Sequence, residues 1–188
     1  MQNKKGRLFV FSAPSGAGKT TIVRNILKNF PRLVFSISAT TRKARNVEKE
    51  GKDYFFITEK EFKEKIEKNE FVEWEKFYDY YYGTLKSFVD HEIDAGNSVV
   101  LEVDVKGSVS IKDSYPDAVL IFVSPPSLEE LKSRLINRKT ETSEDLKKRI
   151  ERAEMEMSYK DKFDYIVMND DLEKAKTEAE EIIKKYIN

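Results

Sequence analysis

Residues 11–20 read FSAPSGAGKT, and their reading decides the fold. They follow the phosphate-cradling pattern G-x-x-x-x-G-K-[ST] through Pro14, Ser15, Gly16, Ala17, Gly18, Lys19 and Thr20, and depart from it only at Ala13, where the pattern has glycine. In such a loop the glycines let backbone N–H groups close on an anion. The lysine reaches the outer phosphates, and the hydroxyl ligates Mg2+. The letters alone also fit a glycine-rich turn carrying an exposed lysine, so the flanks matter. A buried strand should precede the loop, and RLFVFS (7–12) supplies one. A helix should follow, and Ile22, Val23, Ile26, Leu27 and Phe30 recur at helical spacing until Pro31 stops them.

Ala13 is tolerable because Pro14 follows it. A residue before proline is pushed into the extended or polyproline region, where φ is negative and glycine has no advantage. Pro14 lacks an N–H, so the anion is left to the amides from about Gly16 through Thr20. A negative φ at Ala13, with its methyl turned away from the phosphates, is the expectation.

Beyond the loop, near-continuous apolar runs of strand length recur at 33–38 (LVFSIS), 98–104 (SVVLEVD), 118–123 (AVLIFV) and 165–168 (YIVM). Strands buried on both faces of a parallel sheet require that composition. Helical patterns alternate with them. Ser127 stands three residues before Glu130 ahead of Leu128, Leu131 and Leu135, and the chain closes on the amphipathic LEKAKTEAEEIIKKYIN. This rhythm predicts an α/β fold with a five-stranded parallel core sheet and right-handed crossovers. Two regions break it. Residues 39–90 carry a charged, Thr-containing loop, strand candidates in DYFFIT and EFVEWEKF, and the cluster YDYYYGT, which suit an inserted lobe with its own small sheet. Residues 127–158 read as two charged helices with a break at KTETSED, which suits a mobile flap.

Composition narrows the classes. With 34 Lys+Arg against 34 Asp+Glu in 188 residues, there is no global field to drive nonspecific binding of nucleic acid or a membrane surface. The absence of cysteine excludes disulfides and thiolate metal sites. The apolar run after the basic start is only about five residues long, too short for a signal peptide or a membrane span. A cytoplasmic protein is expected, as monomer or homodimer.

The partner of a phosphate loop is an acid at the end of another buried strand. VVLEVD offers Glu102 and Asp104 on one face. Taken alone they are strand-end acids in solvent. Beside the loop they read as ligands of Mg2+ or substrate. Arg42 and Arg45 with the phenols Tyr54 and Tyr82 would suit a monophosphate pocket, planar forks beside neutral donors, although such a stretch is also an ordinary charged loop. Glu73 and Thr84 add a carboxylate acceptor and a hydroxyl to the same region.

Blocks running nearly end to end carry a resemblance: SAPSGAGKTT, SISATTRKAR, GKDYFF, EFVEW, YYGT, LEVDVKG, IFVSPPSLEEL, NRKTET and VMNDDLEKA. Their order and spacing resemble the guanylate kinase family of P-loop nucleoside monophosphate kinases. The resemblance implies a three-layer α/β/α P-loop NTPase fold with an inserted GMP-binding lobe and a helical lid, in one domain over 1–188. The core would span about 1–36, 92–126 and 159–188, the lobe about 37–91 and the lid about 127–158. It implies Mg2+-dependent transfer of the ATP γ-phosphoryl group to GMP or dGMP. By resemblance Ala13 through Thr21 and Asn169 bind ATP. Ser38, Arg42, Arg45, Tyr54, Glu73, Tyr82, Gly83, Thr84, Glu102 and Asp104 bind GMP. Lys19, Arg138 and Arg149 are catalytic, with Arg134 and Arg152 weaker candidates, and Thr20 and Asp104 serve the metal, the latter through water.

Departures from the family pattern are Ala13, Lys106 in place of glutamine and Lys139 in place of a lid glycine. His91 reads as a surface residue and Trp74 as core. Other readings remain to be separated: a P-loop kinase for a different phosphorylated acceptor, against which Glu73, Thr84 and the tyrosines argue, and a non-catalytic phosphopeptide-binding module, which would have lost the intact Gly16, Gly18, Lys19 and Thr20.

Overall fold

The computed structural model describes residues 5–77, 79–137 and 143–187. In chain order the first elements are β1 (Leu8–Ser12), α1 (Lys19–Asn29), β2 (Leu33–Phe35), β3 (Ala39–Thr40), β4 (Phe55–Phe56), α2 (Glu59–Glu67), β5 (Phe71–Phe77) and β6 (Tyr80–Leu85). They are followed by α3 (Lys86–Asp94), β7 (Ser98–Glu102), α4 (Val105–Ser114), β8 (Val119–Ser124), α5 (Leu128–Asn137), α6 (Ser143–Met157), β9 (Tyr165–Met168) and α7 (Leu172–Lys184).

All five residues of β1 are buried. Because strand side chains alternate, Phe9 and Phe11 enter one apolar cluster while Leu8 and Val10 enter another on the opposite face. The first cluster is completed by Ile22, Val23 and Ile26 of α1 and by Ala175, Ala179 and Ile182 of α7. The second takes Val89 of α3 and Ile111 of α4. The expected three layers result, helices over both faces of a parallel sheet ordered β2-β7-β1-β8-β9. Each fully buried Phe or Ile contributes about 1.5–3 kcal/mol, so double-sided burial outweighs strand propensity in holding this sheet. Among the described residues no helix is long and apolar enough to cross a membrane.

All the core strands point the same way, and the order turns on β1. The chain therefore leaves β1 at the topological switch point, where α/β sheets place their ligand crevice.

A second sheet, ordered β4-β3-β6-β5, accounts for the predicted strands within 39–90. Its β3 and the helix α2 are additions to the sequence reading. Two strands are shorter than their apolar runs. β2 stops at Phe35, and the chain crosses to the second sheet, where the Ser38 carbonyl accepts from Phe55 N at 3.0 Å. β7 stops at Glu102 because Asp104 turns to cap α4, its Oδ1 accepting from Gly107 N at 2.6 Å.

Trp74 is not core: it is 45% exposed. β5 is the edge strand, and alternation sends Glu73 and Glu75 into the cleft and Trp74 outward, beside Tyr81 at 6.0 Å between ring centres. His91 is exposed on α3, as expected.

The helices α5 and α6 pack through Leu131, Leu135 and Ala153, with Leu146 and Ile150 against them. Arg138, Lys139 and the break between these helices lie outside the described residues, as do the side chains of Glu141, Glu144 and Asp145.

Candidate active site

A cleft of about 710 Å³ opens over the carboxyl ends of β1 and β7, between the phosphate loop, the second sheet and α6. Its floor is the loop itself. Gly16 and Gly18 have φ of 92° and 97°, the left-handed region that glycine enters without strain. Gly16 faces α5, where a Cβ would come 3.2 Å from Leu135 Cδ2. At Gly18 a Cβ would collide with Asn169 Nδ2. Ala13 is absent from the residues of positive φ and joins the apolar cluster under α1, in accord with the effect of Pro14.

Asn169 is 7% exposed and ties the loop from behind: its Nδ2 donates to Ala17 O at 2.6 Å and its N to Ser124 O at 2.8 Å. Arg134 in turn donates to Asn169 O at 3.1 Å. The resemblance pointed to Asn169 as a neighbour of ATP; what the fold gives it is a hold on the loop's shape. A net value of about 1 kcal/mol per such bond understates it, because removal would orphan a buried carbonyl.

Lys19 opens α1 with its Nζ 3.4 Å from Val103 O and 3.9 Å from Glu102 Oε2. Burial lowers its pKa, while Glu102, Glu156, Asp104 and Glu73 act in the opposite sense. Thr20 Oγ1 donates to Glu102 Oε2 at 2.9 Å. The acid facing the loop hydroxyl is thus Glu102. Asp104, besides capping α4, has its Oδ2 3.9 Å from Arg152. Hydroxyl and carboxylate oxygens are the donors Mg2+ takes, typically one or two protein groups with water and phosphate completing the shell. Thr20 and Glu102 fit that role directly, and Asp104 fits it through water.

α6 brings its cations to the same place. Arg149 donates to Ser15 Oγ at 3.0 Å, and Arg152 Nε donates to Glu156 Oε1 at 2.9 Å. Glu156, 4% exposed, accepts from Ser15 N at 3.2 Å through its other oxygen. Glu156 was missed in the sequence, although its spacing from Arg149, Arg152 and Ala153 puts all four on one helix face. Arg152 also lies 3.5 Å from Glu75, whose pKa rises to about 7 through burial and its hydrogen bond with Asp104.

The opposite wall carries Glu73, backed by a cross-strand partner. Glu73 of β5 and Thr84 of β6 stand directly opposite in the antiparallel ladder, and Thr84 Oγ1 donates to Glu73 Oε1 at 2.7 Å. Burial pushes Glu73 up to about 7 despite that bond. Gly83, between them and Tyr82, is required by close packing: a Cβ there would come 2.9 Å from Phe71 Cδ1. Ser38, Tyr54 and Tyr82 line the same cleft.

The arginines behave differently from one another. Arg42 lies against the Tyr54 ring, 5.2 Å from its centre, and forms a two-armed ion pair with Glu48 at 2.8 and 2.9 Å. Arg45 has an exposed side chain, and its backbone is engaged on both sides by Glu48: its N donates to Glu48 Oε2 at 2.8 Å and its O accepts from Glu48 N at 2.9 Å. Glu48 is a second residue that the sequence reading did not single out.

The family model described as guanylate kinase matches residues 5–186. A guanylate kinase of Thermotoga maritima is 49% identical over 171 residues, covering 91% of this chain and 83% of that one. One of Bacteroides thetaiotaomicron is 49% identical over 185 residues, covering 97% and 91%. Among solved structures, guanylate kinase from Anaplasma phagocytophilum aligns with a TM-score of 0.74 at 29% identity, covering 98% of this chain and 88% of that one.

Proposed function

The chain belongs to the guanylate kinase family, whose reaction is phosphorylation of GMP by ATP, and from that premise we propose how the cleft divides the work. ATP lies over Ala13–Thr21, with its base toward Asn169. GMP lies against the 37–91 lobe, with guanine on Glu73, Thr84 and Ser38 and its phosphate on Arg42, Arg45, Tyr54 and Tyr82. The observation that carries this reading is Glu73, a buried carboxylate that lines the cleft across from the phosphate loop and accepts from Thr84 Oγ1 at 2.7 Å. Guanine presents two adjacent N–H donors and an acceptor, and a pocket of such polar groups rejects a base that leaves them unpaired.

In the reaction an oxygen of the GMP phosphate forms a bond to the γ-phosphorus of ATP as the bond to the β–γ bridging oxygen breaks, and ADP leaves. The acceptor oxygen is already anionic, so no proton must be removed and no general base is needed. Lys19 and Arg149, with Arg138 as the further lid cation implied by resemblance, hold the phosphates in line and offset the charge that spreads over the transferring group. Mg2+, held by Thr20 and Glu102 and reached by Asp104 through water, would neutralise charge on the donor phosphates. A cytoplasmic location accords with both nucleotide substrates.

Nothing in the base-reading trio depends on the ribose 2′-hydroxyl. ADP formation from ATP is therefore expected with both GMP and dGMP, and is expected to stop when Mg2+ is chelated. Turnover unaffected by chelation, or confined to GMP, would contradict this division of the cleft.

A further inference from the structure

The Glu48 carboxylate has more partners than an ordinary surface acid. Its Oε2 accepts from Arg42 Nη1 at 2.8 Å and from Arg45 N at 2.8 Å, while Oε1 accepts from Arg42 Nη2 at 2.9 Å. The backbone closes the same loop, Glu48 N donating to Arg45 O at 2.9 Å. The pair is sheltered, with side-chain exposures of 12% for Arg42 and 14% for Glu48. The bonds from Arg42 and from Arg45 N hold the Glu48 carboxyl down at about 2, so it is a fixed anion at any working pH. The Arg42 guanidinium is held above its ordinary range, chiefly by that same bond.

A guanidinium has five N–H donors in a rigid plane. One edge of Arg42 is used by Glu48, and Nη1 gives its other proton to Lys43 O at 2.9 Å. Its plane is backed by the rings of Tyr54 and Phe56 at 5.2 and 5.9 Å, and the Tyr82 ring stands 6.1 Å from that of Tyr54. The fork is therefore pinned by Glu48 and Lys43 O and held against the Tyr54 and Phe56 rings, leaving Nε and the second Nη2 proton outside the clamp.

We propose that Glu48 is the positioning residue of the acceptor-phosphate subsite: it orients the Arg42 fork and folds the 42–48 loop around the phosphate without touching GMP itself. This rests on the assignment of Arg42, Tyr54 and Tyr82 to the GMP phosphate. The sign of the effect separates positioning from bulk electrostatics. Glu48 is a negative charge near a dianion, so by Coulomb repulsion alone its neutralisation would tighten GMP binding. Loss of the clamp does the reverse.

The test is binding and kinetics of Glu48→Gln and Glu48→Ala in the full chain, with GMP and with guanosine, the same base and sugar lacking the phosphate. Both variants are expected to weaken GMP about tenfold, the scale of one charge-assisted hydrogen bond, with the effect in KM for GMP. The affinity for guanosine, KM for Mg-ATP and the thermal midpoint are expected to stay near those of the parent. Unchanged or tighter GMP binding would overturn the proposal, as would equal losses for guanosine and Mg-ATP. The parent protein tests the underlying assignment separately. If it binds guanosine as well as GMP, the phosphate subsite is misplaced; if it discriminates and the variants discriminate equally, only the role of Glu48 falls.

Discussion

Lys19→Ala is expected to lower kcat by about 10^3-fold while the protein remains folded. The size follows from removing a preorganised cation from the place where charge develops, which typically costs 10^2–10^3 in rate for one donor and more where the group also aligns the phosphates. The fold should survive because Lys19 contributes little to the core. It stands at the start of α1, its ammonium reaches Val103 O only at 3.4 Å, and burial already works against its charge. Alanine is also the better helix former. The check is ADP formation at saturating GMP and Mg-ATP, with the thermal midpoint measured alongside. Near-normal turnover in a folded variant would remove the phosphate loop from the mechanism.

Glu73→Gln is expected to raise KM for GMP by about 10- to 100-fold, the range of 1–3 kcal/mol for leaving polar groups of a buried recognition site mispaired. An amide can accept through one atom only, whereas guanine offers two adjacent donors. The parent should also show a pH signature. Burial raises Glu73 to about 7, and only the carboxylate accepts from both donors, so GMP affinity should fall as pH drops below about 7 and level off above it. The stability term has the opposite sense. A carboxyl whose folded pKa lies above its unfolded value favours the fold while protonated, so that contribution is full below about 4.5 and is lost as pH rises through about 7. Glu75 titrates in the same range beside Asp104 and Arg152. Glu73→Gln should therefore flatten the pH dependence of GMP binding yet keep part of that of unfolding. A variant with the parent's KM for GMP, or a parent whose GMP affinity improves on acidification, would contradict the base-reading role.

Much of this was legible in the chain. The five core strands announce themselves as unbroken apolar runs because both faces of the sheet are covered, and FSAPSGAGKT names its own strand-loop-helix context. What escaped the sequence reading escaped for physical reasons. β3 is Ala39–Thr40, too short for any periodicity. The helix α2 carried a signal that was passed over: Thr58 and Glu61 form a capping box, each side chain bonded to the other's backbone. Trp74 was misplaced because hydrophobicity does not reveal an edge strand. Glu48 and Glu156 look like solvated charges in a protein that is 36% charged, and only tertiary contact shows that one clamps Arg42 and the other underpins Ser15. The pairing of Thr20 with Glu102 could not be read from VVLEVD, because the choice between Glu102 and Asp104 depends on where the strand ends.

The central claim is that a phosphate loop begun by Ala13 and a guanine-reading carboxylate, Glu73, face each other across one cleft. Its most direct measurement is initial-rate ADP formation from Mg-ATP with GMP, dGMP, AMP, CMP, UMP and dTMP side by side. Rapid turnover with the two guanine nucleotides and little with the others is the predicted result; AMP turned over as fast as GMP would contradict it.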